Sequence, residues 1–232
     1  MSRSQRSAMM TGTTIRRTAW AAGLWAGVAG CGVAPLTPSV PPPAPAALRC
    51  NVEVYCLLGL WNIWSLGLID LTDRLMAAGV PSNAVSGTDW QTLAQAIGDD
   101  RAASGNGRPI VLVGHSFGGD DAIRIAKALE ARGLRVNLIV LVDATNPAPV
   151  PPNVDKCVAY YLPTSLANLF PAYFPGNPAE LEDGNDRTEL INLRVTPEIV
   201  TEPLSFGHID LDSSESLHRL IELEVFTLCP QN

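Results

Sequence analysis

Five short apolar runs, at residues 52–58, 110–113, 138–142, 158–162 and 190–195, punctuate the chain, and the stretches between them carry helical patterns. Unbroken apolar runs predict strands covered on both faces, because a strand solvated on one side alternates instead. Between the second and third runs, residues 120–132 set Ile123, Ile125, Ala126 and Leu129 among Asp121, Arg124, Lys127 and Glu130, and Gly133 follows. That is an amphipathic helix with its stop signal. Further helices are predicted over 66–78, closed by Gly79 and Pro81, from about Asp89 onward, and over 212–228, where Asp212 and Glu215 have the spacing of a capping box. Strands alternating with helices predict an α/β fold, a mostly parallel sheet with helices on both faces. Such sheets form their sites at the carboxyl ends of the strands.

The first 47 residues follow another logic. Arg16 and Arg17 precede an apolar stretch over 19–29 that closes on Val28, Ala29, Gly30 and Cys31, so a basic region, a hydrophobic region and small residues come in secretory order. The stretch is shorter than the roughly 20 apolar residues needed to span a bilayer. It resembles a bacterial lipoprotein signal, and the resemblance implies cleavage after Gly30 and lipidation of Cys31. The proline-rich segment 35–45 reads as an extended spacer. The expected organisation is a signal peptide (1–30), a lipidated cysteine with its linker (31–47) and one catalytic domain (48–232), held at the membrane in the cell envelope.

Charge and cysteine usage narrow the chemistry. The formal charge is −7, and without the four arginines of the signal region 12 basic residues face 23 acidic ones, which argues against a nucleic-acid partner. The five cysteines include no CxxC pair and none at zinc-ligand spacing to a histidine, so no metal is expected and an oxidising compartment explains them better. Cys50 and Cys56 are about 20 Å apart at strand rise and cannot bridge each other. Cys56 reads as buried in its strand. Cys50, at the start of the first strand, and Cys229, at the end of the last helix, fall on one face opposite the site and are the favoured disulfide, with Cys157 as the alternative partner.

The candidate chemistry centres on Ile110-Val-Leu-Val-Gly114-His115-Ser116-Phe117-Gly118-Gly119. This is GxSxG in the strand-turn-helix context that gives the motif meaning. Gly114 and Gly118 leave room in a turn too tight for side chains, which holds Ser116 out at the sheet edge. The N–H of Phe117 then faces a developing oxyanion at a helix N-terminus.

With these residues the chain resembles the α/β-hydrolase superfamily from about Leu48 to Cys229, and the resemblance implies the order nucleophile, acid, histidine. His115 fills the variable position of the elbow and has neither role. His218 lies in the pattern of the terminal helix and reads as a surface histidine. His208 remains, in a loop between the last strand and the last helix, where the superfamily places its base. For the acid, Asp143 ends the third apolar run, the position that thioesterase domains of polyketide and peptide synthases use. Asp183 and Asp186, in a polar loop one strand later, are the alternatives; Asp143 is favoured because a strand end fixes a carboxylate better than a loop. The second oxyanion donor is expected from Leu60 or Trp61, in an apolar loop opened by Gly59. Trp61, Ile63 and Trp64 offer apolar surface for an acyl chain or for the sheet edge, and Tyr160, Tyr161, Phe170, Tyr173 and Phe174 offer aromatic surface for a small lid.

The expected activity is that of an exported serine hydrolase, esterase, lipase or thioesterase, acting on an acyl ester or thioester through an acyl-enzyme and needing no cofactor. The rival readings are an acyltransferase and an envelope lipoprotein that uses the fold for binding alone.

Overall fold

The computed structural model describes residues 50–59, 65–86, 89–162, 176–204 and 207–230. The expected signal peptide, Cys31 and the linker lie outside these residues, as do Leu60, Trp61, Ile63, Trp64, Phe170, Tyr173 and Phe174. Six strands form one sheet: β1 (Glu53–Leu58), β2 (Ser82–Ser86), β3 (Ile110–His115), β4 (Val136–Val142), β5 (Val154–Tyr161) and β6 (Glu189–Arg194). Their order is β2-β1-β3-β4-β5-β6 and every pairing is parallel.

Each strand sends alternate side chains to opposite faces, and both faces of β1, β3 and β4 are covered; β6, at the edge of the sheet, instead leaves Glu189, Asn192 and Arg194 exposed, so the expectation of two covered faces fails there. On one face Val54, Cys56 and Leu58 of β1 pack in a core with Leu68, Leu71 and Leu75 of α1 (Gly67–Ala77) and with Leu217, Ile221 and Val225 of α4 (Glu215–Thr227). On the other, Tyr55 and Leu57 join Leu93 and Ile97 of α2 (Trp90–Ser104) and Ile123, Ile125 and Leu129 of α3 (Phe117–Glu130). Burying each such aliphatic side chain contributes roughly 1.5–3 kcal/mol, which is why the β1, β3 and β4 sequences are apolar almost without interruption. The exception in β1 is Glu53, fully buried but paired with Arg101 at 2.6 Å and with Arg108. Burial without such partners would be far more costly.

Three other elements depart from the sequence expectations. β2 was not anticipated, because Ser82-Asn-Ala-Val-Ser86 has no apolar run; it is held by its ladder to β1 and buries Ser82 and Ser86 as well as Val85. Helix α3 begins at Phe117 rather than Asp120, with Gly118 and Gly119 inside its first turn. Helix α4 begins at Glu215, with Ser214 as its cap: the Leu217 N–H donates to Ser214 Oγ, and Asp212 sits in a preceding 3₁₀ turn, Leu211–Ser213. The capping box expected at Asp212 is therefore replaced by a serine cap two residues later.

Cys50 and Cys229 form a disulfide across 179 residues of sequence, with Cα atoms 4.7 Å apart, tying the entry of β1 to the exit of α4. Cys157, the alternative partner, is a free buried cysteine, as is Cys56. The strand order reverses at β1, since β2 lies on one side of it and β3 on the other. A switch of this kind opens a crevice at the carboxyl ends of the two strands, where Gly59 and Ser116 stand.

Candidate active site

Strand β3 delivers Ser116 through a turn whose shape the two glycines make possible. A Cβ on Gly114 would overlap the Gly118 carbonyl, and one on Gly118 would overlap the Leu57 carbonyl of β1. Ser116 adopts φ 57° and ψ −125°. It occupies the cap position of α3, yet its side chain makes no capping bond. The hydroxyl instead lies 2.9 Å from His208 Nε2.

His208 comes from the opposite side, in the 3₁₀ turn Gly207–Ile209 that precedes α4. Its Nδ1 lies 2.7 Å from Asp143 Oδ2. A carboxylate can only accept, so Nδ1 carries the proton and Nε2 is free to accept the Ser116 O–H. Asp143 follows the last residue of β4 and is completely buried. The later aspartates, Asp183 and Asp186, are exposed, whereas the carboxylate beside the imidazole is that of Asp143.

Backbone strain marks the same residues. Among the described residues, only Ser116 (φ 57°) and Asp143 (φ 51°) are non-glycine residues in the left-handed region. Such positions cost of order 1–3 kcal/mol each and persist where the surroundings impose them, commonly at functional sites. The Ser116 N–H donates to the Val142 carbonyl at 2.9 Å, and the Asp143 N–H donates to the Tyr160 carbonyl at 2.7 Å. Neighbouring strand ends thus fix both turns.

Other groups here escaped sequence reasoning. Thr145 Oγ1 lies 3.2 Å from Ser116 Oγ; with the serine proton directed at His208, the threonine hydroxyl is the donor. Asp120 in the first turn of α3 accepts the Asn146 N–H at 3.0 Å and holds that loop in place. Its burial pushes the carboxyl up to about 6, against the backbone hydrogen bond that favours the charged form. His115 is 1 % exposed, with Nδ1 2.8 Å from Ser65 Oγ and Nε2 2.9 Å from the His208 carbonyl oxygen. His218 is buried rather than on the surface: its Nε2–H donates to the Asp212 carbonyl at 2.6 Å, because α4 turns this position toward α1. Among the described residues the two free thiols are poor nucleophiles, since burial pushes Cys56 and Cys157 up to about 12. Phe117 is the first residue of α3, so its N–H points from the helix N-terminus beside Ser116. Among the described residues, no three His, Cys, Asp or Glu side chains gather as metal ligands.

Strand order and elbow are those of an α/β-hydrolase fold. Residues 80–156, from just before β2 to the start of β5, match the thioesterase domain family. No curated protein matches it significantly. Among solved structures, the RedJ thioesterase from the prodiginine biosynthetic pathway in Streptomyces coelicolor is 15% identical, covering 82% of this chain and 94% of its own, with a TM-score of 0.40. A lid-free α/β serine hydrolase from Xanthomonas campestris is 13% identical over 84% of this chain and 88% of its own, with a TM-score of 0.48. The thioesterase domain that cyclises the lipopeptide antibiotic surfactin is 14% identical over 78% and 93%, with a TM-score of 0.46.

Proposed function

We propose that this protein is an exported serine hydrolase that cleaves an acyl ester or thioester through an acyl-enzyme on Ser116. The observation that carries the reading is the continuous chain from Ser116 Oγ to His208 Nε2 at 2.9 Å and from His208 Nδ1 to Asp143 Oδ2 at 2.7 Å, built on two strained residues. His208 removes the serine proton as Oγ attacks the acyl carbon, and Asp143 stabilises the imidazolium that results. The Phe117 N–H stabilises the oxyanion, joined by a donor from Leu60 or Trp61. His208 then protonates the departing alcohol or thiol, and water repeats the sequence to release the acid.

Export is supported by the N-terminal pattern that ends at Cys31 and by the Cys50–Cys229 bridge, a bond suited to an oxidising compartment. Lipidation of Cys31 would hold the enzyme at the envelope membrane; Cys31→Ser is expected to move it from the membrane to the soluble fraction.

The direct test is labelling with a fluorophosphonate probe. Wild type is expected to react and Ser116→Ala, with unchanged circular dichroism, to be silent. Equal labelling of the two would remove Ser116 from the mechanism. Acyl esters and thioesters of graded length then identify the substrate.

A further inference from the structure

We propose that His115 is a positioning residue that locks the backbone of His208 to the end of β1, an inference that rests on the serine-hydrolase reading. Two ring nitrogens with different partners define its state. The His208 carbonyl can only accept, so His115 Nε2 carries the proton and donates across 2.9 Å. His115 Nδ1 is therefore an acceptor, and the Ser65 hydroxyl donates to it across 2.8 Å. Ser65 Oγ in turn receives the Gly59 N–H, also at 2.8 Å. A single ordered path thus runs from Gly59 through Ser65 and His115 to His208, and each hydrogen on it has one destination.

The path joins places that sequence keeps far apart: His115 is 50 residues from Ser65 and 93 from His208. Gly59 closes β1 directly against the elbow, where a Cβ would stand 3.3 Å from Ser116 Cβ and 2.8 Å from Ser65 Oγ. All three side chains are buried, so water is a poor substitute for a lost partner. The rings of His115 and His208 lie 4.9 Å apart between centroids and are inclined by 35°. A charged His115 would oppose the imidazolium that His208 must become. Burial, with His208 as a second cause, holds His115 down at about 3, so it stays neutral beside the base. A neutral ring that both donates and accepts in fixed directions is what this position uses, and a carboxamide can supply only one half at a time. Asparagine reaches the Nδ1 site and glutamine the Nε2 site.

The relay touches no reacting atom, so its loss should act through placement of the base. A displacement of about 1 Å in a catalytic constellation can cost on the order of 10²-fold in rate. For His115→Leu we expect a fall in kcat of roughly 10- to 100-fold, with KM within about twofold, on a p-nitrophenyl acyl ester, and an equal slowing of fluorophosphonate labelling. Ser65→Ala should lose less. The double variant should be no worse than His115→Leu, because both act on one path. His115→Gln, which keeps the bond to His208, should recover part of the rate. A folded His115→Leu with wild-type kcat overturns the assignment, and so do losses that multiply in the double variant. Should His115→Leu not fold, Ser65→Ala and His115→Gln decide, and wild-type kcat in both overturns it. A wild-type protein that fails to label at Ser116 overturns the hydrolase reading and this assignment together, whereas normal Ser116 labelling with unaffected variants overturns the relay alone.

Discussion

Asp143 divides its carboxylate between His208 and the main chain: Oδ2 receives the imidazole Nδ1–H at 2.7 Å, and Oδ1 receives the Leu162 N–H at 2.6 Å. The second bond comes from the residue just after β5, so the acid is held by the neighbouring strand as well as by its own. Its orientation is set before any substrate arrives, which is the condition for a side chain that must hold one tautomer of a base.

Asp143→Asn is accordingly expected to leave folding intact and lower kcat on the order of 10⁴, the scale known for a triad aspartate changed to its amide. Asp183→Asn and Asp186→Asn, both on an exposed loop, should stay within about a few-fold of wild type. Steady-state kinetics on the three variants makes the comparison, and a collapse in a loop variant with an active Asp143→Asn would move the acid.

Gly176 supplies a less obvious test of the same carboxylate. A Cβ there would overlap Asp143 Oδ1 and come within 3.1 Å of the Leu162 N. Gly176→Ala should push the carboxylate off His208 and reduce kcat by roughly 10- to 100-fold, the cost of a displacement of about an ångström. Circular dichroism and the labelling rate together separate this from unfolding.

The disulfide closes nearly the whole stretch from β1 to α4. Chain entropy for a loop of 179 residues corresponds to an upper figure of about 5 kcal/mol. Cys50→Ser with Cys229→Ser should lower the urea midpoint markedly while leaving Ser116 able to label in the folded fraction. Peptide mapping without reduction should recover the Cys50–Cys229 pair.

A pH effect on stability is expected from Asp212. Its carboxylate accepts the Gly67 N–H at 2.8 Å, docking the start of α1 onto the turn before α4. Burial pushes it up to about 7, although the hydrogen bonds from Gly67 and Leu68 work the other way. An unfolded aspartate titrates near 3.9, so between about pH 4 and 7 the folded state keeps a proton that the unfolded state has released. The stabilisation is full below that range and is lost as pH rises through 7. Asp212→Asn, whose amide oxygen can still accept from Gly67, should flatten this part of the profile. The readout is the difference in Tm between the two proteins at pH 5 and pH 8; a constant difference would show that Asp212 is charged throughout.

The runs at 52–58, 110–113 and 138–142 are legible as strands because a buried parallel strand needs nothing but apolar residues over a short length, a demand each meets by itself, whereas the run at 190–195 carries Asn192 and Arg194 and lies at the exposed sheet edge. The elbow was legible for a similar reason: Gly114, Ser116 and Gly118 satisfy a steric condition set within five residues. The Cys50–Cys229 pairing followed from the direction in which strands and helices must run. By contrast β2 has no apolar signature and exists through its ladder to β1, and the start of α4 turned on a serine cap rather than the residue spacing that suggested one. The sequence pattern puts His218 on the surface although it is buried, because a helical pattern tells which residues share a face, not which neighbour will cover it. His115 shows the limit most clearly. Its position in the motif specifies no partner, and its two hydrogen bonds depend on loops that only the closed sheet brings together. Local sterics and hydrophobic periodicity are written in adjacent residues, whereas the direction of a buried hydrogen bond between distant segments is decided by tertiary packing.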